Sequence, residues 1–171
     1  MTTITILVGN PQPGSRTRAV AEELAGQLAA RHDVEVAETI ELADHGAALF
    51  TIPDATIDAL TQRVAATDLL IVASPTYKAS YTGLLKAFLD RYGTRGLAGV
   101  SAIPIFTIGS PAHTLAVEVT LRPLLVELGA SVPTSGIAFP ASDFERRGEI
   151  VGAWIEREAA VLGRLLAPRA G

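Results

Sequence analysis

Apolar and polar positions change period several times along this chain, and the clearest change lies between Asp68 and Asp90. There Asp68 leads into L-L-I-V-A, a continuous apolar run with β-branched side chains, and Ser74-Pro75 turns it polar. From Thr82 onward Leu84, Leu85, Phe88 and Leu89 recur at helical spacing. The pattern predicts a strand over Leu69 to Ala73 buried on both faces, a polar loop, and a helix ending around Arg91-Tyr92-Gly93.

The same alternation recurs on either side. Thr3 to Val8 reads as a first strand that stops at N-P-Q-P-G-S-R-T, with a helix following that Ser15 or Thr17 can cap. Ala19, Val20, Leu24, Ala25 and Leu28 give that helix an apolar stripe to near Arg31. Val34 to Ile40 alternates as an edge strand does, and an irregular connection with Gly46 and Pro53 leads to a helix capped by Asp54 and running to about Ala66. A fourth strand, Val100 to Ile108, carries Pro104 with some loss of ladder hydrogen bonding. A helix from Thr114 to Leu128 is kinked or broken by Pro123 and ended by Gly129. Val132 to Phe139 makes a fifth strand, and Asp143 caps a long terminal helix to Leu166. Residues 1–167 read as one domain and 168–171 as a frayed tail.

Five strands alternating with five helices call for a parallel sheet covered on both faces, a three-layer α/β sandwich. The first loop, G-N-P-Q-P-G, lacks the second glycine of G-x-G-x-x-G. That favours the flavodoxin-like strand order 2-1-3-4-5, whose ligand crevice lies between strands one and three.

Composition narrows the chemistry. Hydrophobic residues make up 49% and charged residues 19% of the chain, enough for a core, and no apolar run reaches the roughly 20 residues that cross a bilayer. A cytoplasmic protein without membrane contact is expected. With no cysteine, thiol catalysis, iron–sulfur clusters and cysteine zinc sites are excluded. His32, His45 and His113 form none of the usual metal spacings. A net charge of −4 and the lack of a basic patch argue against nucleic acid. Redox chemistry would need a borrowed group.

Two loops flank the crevice, and a third adjoins it. Gly14-Ser15-Arg16-Thr17 lies between a strand end and a helix N-terminus, where free amides, two hydroxyls and a guanidinium suit a phosphate monoester. Pro75-Thr76-Tyr77-Lys78 offers a rigid proline, a hydroxyl, a ring and a cation able to line a flat heteroaromatic ligand. Gly109, Ser110 and His113 form the third loop, where His113 either contacts a ligand or caps the next helix. Trp154 reads as core or subunit interface, and Glu156-Arg157-Glu158 as a solvated helix face. No G-x-S-x-G elbow supports hydrolysis.

With these loops identified, the chain resembles the NADPH-dependent FMN reductase family over nearly its whole length. The matching pieces are G-N-P-Q-P-G-S-R-T-R, S-P-T-Y-K-A-S-Y-T-G-L-L-K-A-F-L-D and T-I-G-S-P-A-H-T-L-A-V-E. It is most similar to the FMN reductases that serve alkanesulfonate monooxygenases. The resemblance implies that Ser15, Arg16 and Thr17 hold the FMN phosphate and that Pro75, Thr76, Tyr77 and Lys78 border the isoalloxazine. It also implies that Gly109 and Ser110 close the far side, with His113 near them, and that NADPH or NADH delivers hydride. Lys78 is the candidate to stabilise charge on the reduced ring. Free flavin, a quinone or another small-molecule acceptor, or a partner flavin-dependent monooxygenase, would take the electrons. The competing readings are an FMN-containing quinone or azo-compound reductase and a flavodoxin-type electron carrier. The relatives resemble H-x-L-A-V-D-Y where this chain has H-T-L-A-V-E-V. Their tyrosine lies in a widened helical turn at a tetramer interface and is linked to transient flavin use; here Val119 takes its place. The expected assembly is a homodimer or homotetramer through the 81–92 and 114–128 helices.

Overall fold

In the computed structural model, which describes residues 1–167, the apolar runs become five parallel strands. They are β1 (Thr2–Val8), β2 (Val34–Glu41), β3 (Leu69–Pro75), β4 (Ser101–Ile108) and β5 (Ile137–Pro140), in the order β2-β1-β3-β4-β5. The anticipated flavodoxin-like order is therefore the observed one. The tail over 168–171 lies outside the described residues.

Why β3 is central follows from its side chains. Leu69 through Ala73 have no exposed surface, and successive residues point to opposite faces. Leu70 and Val72 join a core with Ile57, Leu60 and Val64 of α2 (Ala55–Ala65) and Leu85 and Phe88 of α3 (Gly83–Leu89). Leu69, Ile71 and Ala73 face Val20 and Leu24 of α1 (Arg16–Ala29), joined by Val151 and Trp154 of α5 (Arg147–Arg157). Each fully buried Leu, Ile or Phe contributes about 1.5–3 kcal/mol relative to exposure, so the sheet is fastened on both sides. Of the helix caps, Asp54 accepts from Thr56 N and Ile57 N, both at 3.0 Å, and Ser15, not Thr17, caps α1.

β5 differs from the sequence expectation, starting at Ile137 rather than Val132. Ala102 N donates to the Ser131 carbonyl, and Ser131 N to that of Val100, so even-numbered residues of β4 turn their backbone toward β5. Pro104 has no N–H to offer there, and pairing resumes only with Ile105 opposite Ile137. Between, the chain leaves the ladder and is held by side chains. Arg122 donates to the carbonyls of Val132 (2.7 Å) and Thr134 (2.6 Å), and Gly136 N donates to Glu118. Hydrogen bonding from Arg122 also holds the Glu118 carboxyl below its usual range.

The stretch after β4 is not one helix either. Pro111–His113 forms a 3₁₀ turn, Val117–Leu121 a widened π turn, and only Arg122–Glu127 is α-helical (α4), with Pro123 in its first turn. There a missing N–H does least harm. The terminal helix also divides. Ala141–Arg146 is a 3₁₀ segment in which Asp143 leaves helical geometry, so Asp143 is not the cap of α5. α5 ends at Arg157, and α6 spans Ala159–Leu165. Glu158, at the break, is not solvated as the sequence implied: its carboxylate accepts from the Ser135 hydroxyl at 2.5 Å.

Candidate active site

The loop after β1 begins where α3 presses on the strand end. A Cβ at Gly9 would lie 2.6 Å from Leu85 Cβ, so only glycine permits this approach. Asn10 then organises the turn: its Oδ1 accepts from Gln12 N at 2.9 Å and its Nδ2 donates to Thr17 Oγ1 at 3.1 Å. Gly14 has φ +63°, and its N–H donates to both oxygens of Glu41 at 3.1 and 3.0 Å. Glu41, buried at the end of β2, is balanced by Arg18 Nη1 at 2.8 Å. The turn closes on Ser15, whose Oγ accepts from Arg18 N at 3.2 Å and keeps its own O–H free to donate.

The three expected phosphate residues therefore sit differently. Thr17 is buried, and its hydroxyl is engaged by Asn10 and by Thr107 Oγ1 at 2.8 Å. What it can offer an anion is its first-turn N–H, which has no acceptor inside the helix. Arg16 is exposed and forms no ion pair with a carboxylate among the described residues. Its guanidinium rests 5.4 Å from the Phe144 ring centroid, with Nη1 3.5 Å from the Ala141 carbonyl.

In the loop after β3, Ser74 Oγ accepts from Thr82 N (3.1 Å) and Thr76 N donates to the Thr107 carbonyl (2.9 Å). Tyr77 and Ser80 exchange backbone hydrogen bonds at 2.9 and 3.2 Å around Lys78 (φ 52°) and Ala79 (φ 64°). This is a two-residue hairpin turn with both central residues left-handed, the geometry that usually selects Asn-Gly. Non-glycine residues pay roughly 1–2 kcal/mol each in that conformation. Such strain gathers at functional sites. Thr76 Oγ1 is buried without a hydrogen-bond partner, Tyr77 is half exposed, and Lys78 forms no ion pair among the described residues.

Thr82 joins the two loops. Its hydroxyl donates to the Gly9 carbonyl at 2.5 Å and accepts from Leu85 N at 3.1 Å, capping α3. Thr107 ties them again from below, through Thr17 and Thr76, two residues before Gly109. In the third loop Ser110 Oγ accepts from Ala112 N at 3.3 Å, so Ser110 caps the turn and His113 lies at its end, partly buried. A cleft of about 230 Å³ runs from Gly109, Ser110 and Thr114 to Ala138, Pro140 and Ser142. The sequence pointed to none of Asn10, Glu41, Thr107 or Phe144. Asn10, a short polar side chain just past a strand, carried the one readable signal.

First-turn amides, a free hydroxyl and a guanidinium without a carboxylate partner form a donor set suited to a phosphate. The adjoining loop contributes a ring, a cation and a buried hydroxyl in need of a partner. These features fit FMN at the ends of β1, β3 and β4, and the model of the NADPH-dependent FMN reductase family matches residues 2–143, all three loops included. The chain belongs to that family. Among relatives of the NADPH-dependent FMN reductases, it is similar to the NADH-dependent FMN reductase SfnF of Pseudomonas putida, 31% identical over 93% of this chain and 88% of that protein. It is similar also to the FMN reductase (NADPH) of Escherichia coli K12, 36% identical over 77% of this chain and 69% of that one. Among solved structures, the apo form of the NADH:FMN oxidoreductase EMOB superposes with a TM-score of 0.86 at 33% identity, covering 99% of this chain and 92% of that chain.

Proposed function

We propose that this protein is an NAD(P)H-dependent FMN reductase, an oxidoreductase that uses NADPH or NADH as hydride donor and FMN as the flavin. The observation that supports the reading is the tie that Thr82 makes between the loop after β1, at the Gly9 carbonyl, and the end of the loop that carries Lys78, at the start of α3. FMN, when bound, supplies the electron chemistry, so the chain's own work is to bind, orient and stabilise charge. The Ser15 hydroxyl, the Arg16 guanidinium and the first-turn N–H groups, including that of Thr17, hold the phosphate. Pro75, Thr76, Tyr77 and Lys78 border the ring, Thr76 Oγ1 gaining the partner it lacks, and Gly109, Ser110 and His113 close the far side. Lys78 Nζ stabilises negative charge on the ring; unchanged hydride transfer in Lys78→Met would remove that role.

In the same reading, residues 1–167 act as one domain in the cytoplasm; among the described residues no helix is long and apolar enough to cross a membrane. Reduced flavin is passed to a small-molecule acceptor or a partner monooxygenase, as the resemblance to the alkanesulfonate-system reductases implies. Leu115, just before the π turn, Val119 within it and Val126 on α4 are exposed apolar side chains, which a second copy covers in a homodimer or homotetramer. Light scattering of Val119→Asp, expected to shift toward monomer, tests that part.

The deciding experiment is the visible spectrum of the purified protein before and after anaerobic addition of NADPH or NADH. Flavin bands that bleach on addition mean a resident FMN and direct the electrons to quinone- or azo-type acceptors. A colourless protein that oxidises NAD(P)H only once FMN is added means that flavin is a substrate supplied onward. If neither nucleotide is oxidised in either form, the reductase reading fails and a flavodoxin-type carrier replaces it.

A further inference from the structure

We infer that Phe144 is a positioning residue for the phosphate end of the site, acting through Arg16; the inference rests on the FMN reading above. A long arginine side chain at the surface has many conformers, and an anion that binds it must fix one of them. Proteins commonly fix an arginine with a carboxylate, and the neighbouring arginines here follow that rule. Arg18 is paired with Glu22 and Glu41 at 2.7 and 2.8 Å, Arg146 with Glu149 at 2.9 Å, and Arg147 approaches Glu23 at 3.9 Å. Arg16 is fixed differently, by the ring of Phe144 and by a marginal 3.5 Å contact with the Ala141 carbonyl.

The difference matters for an anion. A carboxylate partner would cancel the charge and occupy the N–H groups that a phosphate needs. An aromatic face holds the guanidinium through its quadrupole and leaves both charge and donors available. Phe144 is itself held in place: Arg147 lies 4.6 Å from the same ring centroid and donates through Nη1 to the Phe144 carbonyl at 3.3 Å. The ring also packs against the core between α1, α5 and the sheet. The 3₁₀ segment Ala141–Arg146 thus presents to the phosphate loop a ring that orients its cation without neutralising it.

The test compares FMN with riboflavin, which lacks the phosphate, by fluorescence titration of flavin-free protein. Phe144→Leu is expected to weaken FMN binding about threefold to fivefold, the size of an exposed cation–π contact, and to leave riboflavin unchanged. Phe144→Tyr, which keeps the ring, restores FMN binding. Arg16→Ala is expected to reduce FMN affinity on the order of 10–100-fold, and Phe144→Leu added to it has no further effect. Equal losses for FMN and riboflavin in Phe144→Leu, or the same loss with Arg16 already removed, overturn the inference while leaving the FMN reading standing. Equal affinity of the wild-type protein for FMN and riboflavin overturns the phosphate reading and the inference with it.

Discussion

The loops after β1 and β3 are adjacent and joined by Thr82, yet they are built on opposite terms. In the first, the turn itself is closed by the protein's own groups: Asn10 closes the turn, Glu41 takes the Gly14 N–H, Ser15 caps α1, and the one left-handed residue is a glycine. In the second, Lys78 and Ala79 occupy left-handed geometry without being glycine, and Thr76 Oγ1 is buried without a partner. In the proposed reading the first loop is a finished receptor for the phosphate, with Arg16 and first-turn amides left to bind it. The second loop stores strain and holds an unmet hydrogen-bonding group, and in the proposed reading the flavin ring completes it.

The sharpest way to break the contrast is to cut the joint. Thr82→Val removes the cap of α3 and strands the buried Gly9 carbonyl, which together cost about 2–4 kcal/mol. Urea unfolding of the flavin-free protein measures it. A loss below about 1 kcal/mol would mean that the loops hold their places independently, and the idea of a single rim would go.

Next in size are the two hydroxyls of the first loop, Ser15 and Thr17, which the structure separates. Thr17→Val leaves Asn10 Nδ2 and Thr107 short of a partner and is expected to cost about 1–2 kcal/mol of stability, with the preference for FMN over riboflavin unchanged. Ser15→Ala is expected to cost about 1 kcal/mol as a lost cap and also to lower that preference severalfold, because the Ser15 Oγ only accepts, from Arg18 N, and leaves its O–H to donate to the phosphate. If Thr17→Val erodes the FMN preference as Ser15→Ala does, the inward assignment of Thr17 is wrong.

This split also marks how far the sequence could be read. The β3 run and the Asp54 cap were visible because local pattern alone decides them, and the strand order followed from the alternation of strands and helices together with the missing second glycine of G-N-P-Q-P-G. Ser15 and Thr17 looked equivalent in sequence because what distinguishes them is Thr107, 90 residues away from Thr17. The late start of β5 depends on Pro104 lying one residue before the position opposite Ile137, a register that no local window contains. The 3₁₀ segment that displaces Asp143 from the cap position and brings Phe144 to Arg16 is likewise a tertiary arrangement. The hairpin at Lys78-Ala79 was hidden for another reason: its residues are the wrong ones for the turn they make.

That mismatch gives the smallest predicted effects and the finest test of the contrast. Gly14→Ala meets no neighbouring atom but must hold φ +63° with a side chain, which is expected to cost about 1 kcal/mol by the left-handed penalty alone. Ala79→Gly runs the other way. It releases about 1–2 kcal/mol of strain and adds about 0.5–1 kcal/mol of unfolded-state entropy, so stability is expected to rise by roughly 0.5 kcal/mol in thermal or urea unfolding. If the strained turn serves to hold the ring-bordering residues in place, the same substitution weakens FMN and riboflavin equally, since both carry the ring. A protein that is more stable and binds flavin as tightly as before would show that the strain is incidental, and the two loops would then differ in composition but not in purpose.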